Sequence, residues 1–352
     1  MSPSSSRIRR LGSLVLGVAV SALLIGWLLR GEDLGAIGRR LASADRSLLV
    51  ATAAMITAGA AFRVFRWQVL LRPILPSAPF GACWKAILVG MAVTNLLPGR
   101  LGELARPWAL GRLAPVEVSG ALGTVVLARI LDIVALLVVL MAALVSPAFP
   151  EIETVLGRPI GDAVAPTVAV AAVALIGVVA LLLRPRWFDA IVRVTTAWLP
   201  SRVGLWIRGQ LDAFVAGLRG VQEPRSLLLA LAWSVGLWLW MAASFQVAFA
   251  AFGIELGFTA AMFTLCVVSL FVALPAAPGF IGTMHAGVAV SVHDVFGASA
   301  ESALSLAVGY HLAGFVPITV LGLVYAGSLG FWQSRDALTD GVNPSPVDPE
   351  SA

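Results

Sequence analysis

The sequence predicts an all-α polytopic membrane protein, with about six full spans and two re-entrant broken segments in an inverted-repeat arrangement. Three observations predict it. Hydrophobic residues make up 59% of the chain and charged residues only 12%, with a mean hydropathy of +0.93, whereas a soluble domain carries roughly 25% charged residues. The apolar residues come in runs long enough to cross a hydrocarbon core about 30 Å thick, which takes roughly 20 helical residues. They show no alternation of period two, so helices rather than a β-barrel satisfy the backbone in the bilayer.

The first expected span, about 12–29, follows the basic residues Arg7, Arg9 and Arg10. Its apolar run is longer than the core of a signal peptide, and the small-residue triplet Ala42-Ser43-Ala44 lies beyond Arg39 and Arg40. An uncleaved span with a cytoplasmic N-terminus is expected. Further spans are expected at about 47–65, 119–145, 164–183, 227–252 and 302–330, and two apolar segments, about 82–98 and 259–281, are interrupted or closed by Pro and Gly.

Charge sorts the connections. Residues 63–85 carry Arg63, Arg66, Arg72 and Lys85 with no acid, and 184–225 carry seven Arg against three acids, so both read as cytoplasmic; Glu151, Glu153 and Asp162 against Arg158 read as the outer side. A full crossing at 82–98 would place Arg100, Arg106 and Arg112 outside and invert the later spans. Entry from the cytoplasm with a turn at Pro98-Gly99 removes the conflict. Likewise, 259–281 entering from outside and turning near Pro278-Gly279 leaves the C-terminus cytoplasmic.

One transmembrane domain over 1–335 is therefore expected, with half one at about 47–145 and half two at about 227–330. Between them, about 186–221 mixes Arg with Trp187, Trp198 and Trp206, which suits interfacial helices or a packed cytoplasmic hairpin. The Pro-, Asp- and Ser-rich tail, 336–352, should be disordered. The net charge of +5 fits loops facing anionic lipid rather than a nucleic-acid footprint. Cys83 and Cys266 lie in apolar segments, where they read as small buried hydrophobes.

The two tips share a pattern. Asn95 to Pro107 reads NLLPGRLGELARP and Leu274 to Ala286 reads LPAAPGFIGTMHA. Each holds Pro-Gly-x-x-Gly (Pro98, Gly99 and Gly102; Pro278, Gly279 and Gly282) and then a polar residue, Glu103 or Thr283. Each is followed roughly thirty residues later by polar groups within a span, Arg129 and Asp132 or Tyr310 and His311. Paired Gly/Pro-interrupted segments in inverted halves point to a midplane substrate site. A chain broken inside the bilayer is tolerated only within protein or beside a water-filled cavity.

Buried charge in a span usually faces the protein interior and has a partner. Arg129 and Asp132, spaced i, i+3, therefore read either as a packing pair or as a guanidinium facing lipid phosphate with a carboxylate orienting it. Arg63 and Arg66 sit one turn apart at the expected end of the second span, suited to snorkelling or to substrate entry. Glu103 and Arg106 lie on the first broken segment, and His285 follows the second break. The histidines His285, His293 and His311 lack carboxylates at ligand spacing, so neither a metal nor a cofactor is expected.

The string Asn95-Leu-Leu-Pro98-Gly99-Arg100-Leu-Gly102-Glu103, with Arg106 after it, resembles the signature of the lysylphosphatidylglycerol synthase transmembrane family, also called flippase-like membrane proteins. Arg63-x-x-Arg66-Trp67, Arg129-x-x-Asp132 and Pro278-Gly279-x-x-Gly282 fall where that family has comparable features, and the likeness covers about residues 10–332. The family often carries Glu where this chain has His285. In the synthases this module accompanies a soluble aminoacyl-transferase domain, and no such domain is expected in this chain. The resemblance thus implies translocation of an anionic phospholipid or polyprenyl-linked lipid across the cell membrane without lipid synthesis. Arg63, Arg66, Asn95, Arg100, Glu103, Arg106, Arg129, Asp132 and His285 are the candidate substrate-binding residues. An intramembrane enzyme, or a non-transporting partner of a separate lipid-modifying enzyme, is the alternative.

Overall fold

A computed structural model describes residues 19–30, 33–97, 101–150, 154–155, 158–159, 224–274 and 276–330. The expected span 164–183, the interfacial stretch 186–221, the tail 336–352 and the first tip residues Pro98, Gly99 and Arg100 lie outside them. The described residues are helical apart from connections and one two-residue antiparallel pairing, Thr154–Val155 with Arg158–Pro159.

Ten helices follow in order: α1 Ala19–Leu28, α2 Leu34–Ser43, α3 Arg46–Leu71, α4 Phe80–Leu96, α5 Gly102–Leu113, α6 Val118–Leu144, α7 Pro224–Ala251, α8 Phe258–Ala273, α9 Thr283–Ala289 and α10 Ala300–Ser328. Helices α3, α6, α7 and α10 are long and apolar enough to cross a membrane, as expected for four of the six spans. Asp45 starts α3 by accepting from the amides of Ser47 and Leu48 at 2.8 and 3.1 Å, and bonds from Ser47 and Leu48 hold its carboxyl below the ordinary range. Helix α3 continues six residues past the expected end at 65, so Arg63 and Arg66 lie inside a helix rather than at its end. Tertiary partners described below make that burial tolerable. The sequence reading did not separate α2 from its connection. Asp33 caps it, accepting from the Gly35 amide at 2.7 Å, and Ile37 packs on Ala289 and Leu304.

The two interrupted segments are short helices. Helix α4 has 17 residues and α8 has 16, so each rises only about 24–26 Å at 1.5 Å per residue, less than a hydrocarbon core of about 30 Å. Both chains then fold back. Helix α5 begins against the middle of α4, where a Cβ on Gly102 would collide with the Gly90 carbonyl and the Thr94 hydroxyl. Helix α9 returns against α8, with Gly287 close to the Val268 backbone. Gly102→Ala should therefore destabilise the fold by about 1–3 kcal/mol. Gly81→Ala, at a site open for 4 Å around, should not. Thermal unfolding in detergent would separate the two.

Exchange of the two halves maps the packing onto itself. Helix α3 packs on α4 as α7 packs on α8, α5 packs on α6 as α9 on α10, and α6 meets α7 as α10 meets α3. The halves are interleaved, because α4 packs on α10 and α8 on α6. Small residues allow these approaches: Gly322 of α10 meets the Leu88 carbonyl and Ala92 of α4. Helix α3 lies along α7 at the centre, with Gly59 against Met241 and the Trp240 indole donating to the Met55 carbonyl at 2.7 Å.

The second break is a sharply bent tip. Gly279, Phe280 and Gly282 all have positive φ (74°, 58° and 91°), a conformation that glycine adopts freely and phenylalanine does not. The strain at Phe280 is held by its surroundings. Gly279 sits between the Asn95 carbonyl and the Phe315 ring, so the second tip touches the end of α4. Asn95 also donates to the Thr319 hydroxyl of α10 at 2.9 Å. From the other side, the buried Ser21 of α1 accepts from the Ala277 amide at 2.9 Å and backs onto Gly282.

Candidate functional site

Three long helices meet at a buried carboxylate. Both terminal nitrogens of Arg66 on α3 donate to Asp132 on α6, the longer bond being 3.4 Å. Arg66 Nη1 also donates to Ser234 Oγ of α7 at 3.0 Å. Asp132 accepts further bonds from the Trp238 indole at 3.1 Å and from Arg129 Nη1 at 3.2 Å. Arg66 and Asp132 are 1% and 4% exposed. Removing two charges from water costs several kcal/mol per ion, which Coulomb attraction offsets only when the remaining donors and acceptors are also satisfied. Asp132 meets that condition. Arg66 nearly does, leaving only Nε without a hydrogen bond among the described residues.

Arg129 connects this buried pair to the first break. Its other terminal nitrogen donates to Glu103, in the first turn of α5, and its side chain is half-exposed. Beyond it opens a cavity of about 230 Å³, lined by Arg63, Thr94, Asn95, Gly102, Glu103, Arg106 and Arg129 from the first half and by Val272 and Phe280 from the second. Both broken segments therefore contribute wall.

Arg106 is the most unusual member of the lining. It is 6% exposed, and its guanidinium stacks over the Trp67 ring at 4.0 Å. Nε and Nη2 make no hydrogen bond among the described residues, although buried polar atoms are normally paired. The Trp67 ring is itself held by an indole bond to Thr124 Oγ1 at 2.8 Å. Arg63 lies over the Trp238 ring at 5.8 Å. A cation–π contact compensates part of the lost hydration, but both guanidinium groups keep donors for an incoming acceptor.

Of the candidate residues, Arg63, Asn95, Glu103, Arg106 and Arg129 come together on this cavity with the turn residue Gly102. Arg66 and Asp132 lie behind it, and Arg100 falls outside the described residues. Glu103 and Arg106, although spaced i, i+3, form no ion pair with each other; Glu103 bonds Arg129 instead. His285 does not line the cavity. Its Nδ1 accepts from the Gly282 amide at 3.4 Å, and its ring meets that of His311 edge-on at 5.0 Å. Sequence reasoning missed Ser234 and Trp238, which lie one turn apart on α7 but stand among other polar-tipped side chains of that helix, Trp233, Trp240, Ser244 and Gln246. Thr124, Thr94 and Phe280 gave no signal apart from their elements.

The second half carries an uncharged counterpart. Arg66 and Asp132 are 66 positions apart, and so are Ser244 and Tyr310, whose hydroxyls hydrogen-bond at 2.8 Å between α7 and α10. Phe245, in the place corresponding to Trp67, stacks on Tyr310 at 3.8 Å. The repeat is thus conformational, while its charge is confined to one half.

These features define a multi-pass helical membrane protein in which two broken segments fold back around a polar cavity. The chain belongs to the family described as the lysylphosphatidylglycerol synthase TM region, whose model matches residues 14–322. No curated protein matches it.

Proposed function

We propose that this protein is a lipid translocase of the cell membrane, not an enzyme, and that it moves an anionic phospholipid or polyprenyl-linked lipid through the cavity between its broken segments. The observation that carries the reading is Arg106, a buried guanidinium side chain on the wall of a cavity that both halves line, with two nitrogens that make no hydrogen bond among the described residues. Such a group favours an acidic head group, while acyl chains stay in lipid.

In this reading α4 and α8 are re-entrant from opposite sides, six full spans leave both termini cytoplasmic, and the halves rock about the α3–α7 contact to expose the cavity alternately. Membrane lipids with anionic head groups are the partners. The sequence holds no P-loop, so transport runs downhill or is coupled to ions or potential.

Alternating access has a direct test. Met91, on the cavity wall, is replaced by Cys and exposed to a membrane-impermeant thiol reagent in vesicles of either orientation. Labelling from both sides is expected. Labelling from one side alone would suit an intramembrane enzyme or a non-transporting partner and would count against translocation.

A further inference from the structure

Among the described lining residues, three guanidinium groups (Arg63, Arg106 and Arg129) face one carboxylate, Glu103. The Arg66–Asp132 pair behind them is neutral in sum, so the cavity carries an excess of two positive charges. Two separate features make this a prepared site rather than a general attraction for anions. The nine-tenths-buried Arg106 holds Nε and Nη2 without a hydrogen bond among the described residues; both atoms are shielded in this conformation, and turned toward the cavity they form the fork by which an arginine grips a pair of phosphate oxygens. Trp67, pinned by Thr124, fixes the plane of that fork. The volume of about 230 Å³ holds roughly eight waters at liquid density, the scale of a head group.

A phosphodiester brings one negative charge and no terminal phosphate. A phosphomonoester brings about 1.5–2 charges at pH 7 and three free oxygens. We infer that the site selects a terminal, doubly charged phosphate, the phosphomonoester or diphosphate end of a lipid, over the phosphodiester of common membrane phospholipids. The inference rests on the translocase reading for the source of the phosphate. The charge match itself is independent of transport. Glu103 would yield Arg129 to the incoming phosphate, which then makes ionic contacts from three sides.

The test is equilibrium binding to the purified full chain in detergent, with acyl-matched phosphatidate, phosphatidylglycerol and phosphatidylcholine, farnesyl monophosphate and inorganic phosphate as probes. Phosphatidate and farnesyl monophosphate should bind at pH 8 about tenfold more tightly than phosphatidylglycerol, the scale of one added charge-assisted hydrogen bond. The gap should close at about pH 5, because the monoester takes up a proton near pH 6 while arginine stays charged. Arg106→Gln should abolish the preference, and Arg63→Gln, which removes no stacking on Trp67, should reduce it. Inorganic phosphate should compete only weakly.

Equal affinity for phosphatidate and phosphatidylglycerol at pH 8, or a preference unchanged in both variants, would overturn the inference and leave translocation standing. Inorganic phosphate binding as tightly as phosphatidate would assign the same chemistry to a soluble anion and remove the lipid source. A clear monoester preference with one-sided labelling of Met91→Cys would support the selectivity while translocation fails.

Discussion

Asp132→Ala is expected to lower stability by about 3–5 kcal/mol, the cost of leaving a buried charge without its partner. Arg66 would keep its guanidinium in the bundle at 1% exposure with only Ser234 to receive a bond, and Trp238 would lose its acceptor. Arg66→Met should behave similarly, because it strips the carboxylate of its main counter-charge. The double variant Arg66→Met/Asp132→Leu removes both charges and should recover much of the loss. By contrast, Tyr310→Phe deletes one neutral hydrogen bond in the matching place of the second half and should cost about 1 kcal/mol. Thermal unfolding in detergent, followed by tryptophan fluorescence, reads all four. Equal effects for Asp132→Ala and Tyr310→Phe would mean that the charged link carries no special structural role.

Transport should respond to a different set of residues. Arg106→Gln removes a cation that has no carboxylate partner among the described residues, so the fold loses little and sheds a desolvation cost. Transport of an anionic lipid should fall by about 10–100-fold, since charge-assisted hydrogen bonds contribute about 1.5–3 kcal/mol each. Arg129→Ala should also insert and fold, because Asp132 keeps Arg66 and Trp238, yet it should lose transport. Full activity in both variants would reduce the arginines to packing elements. The two experiments together separate the buried ion pair Arg66–Asp132 from the cavity-lining arginines, Arg106 and Arg129.

That division was only partly legible in the sequence. Long apolar runs located α3, α6, α7 and α10 closely, because length against bilayer thickness is a strong constraint. Pro-Gly-x-x-Gly marked both breaks, since few other strings end a helix in that way. Local spacing misled where tertiary contact decides. Glu103 and Arg106 are near neighbours on α5, but Glu103 turns to Arg129 on α6, and Arg106 turns to Trp67 on α3. Likewise, Arg129 was legible as the i, i+3 neighbour of Asp132, whereas Arg66, 66 positions away, supplies both terminal nitrogens. A pairing across helices leaves no periodicity to read. Helix α2 escaped for a similar reason: its amphipathic face is short, and its partners Ala289 and Leu304 lie far along the chain.

The charge asymmetry between the halves bears on mechanism. In the proposed translocation, symmetric packing would supply two equivalent conformations, one for each exchange of the halves, and a one-sided charge would keep the head group with the first half as the cavity turns. Such an arrangement needs a repeat that can move without breaking Arg66–Asp132, which lies within one half and gains only Ser234 and Trp238 from the other.

Reconstitution is the most direct measurement. Purified protein is placed in liposomes holding a tail-labelled anionic lipid, with no nucleotide present, and loss of label to a membrane-impermeant reductant is followed. Wild type should expose inner-leaflet lipid faster than empty liposomes, and Arg106→Gln should be about 10–100-fold slower than wild type. Wild type that moves none of the anionic lipids, phosphomonoester or phosphodiester, faster than empty liposomes would contradict the account.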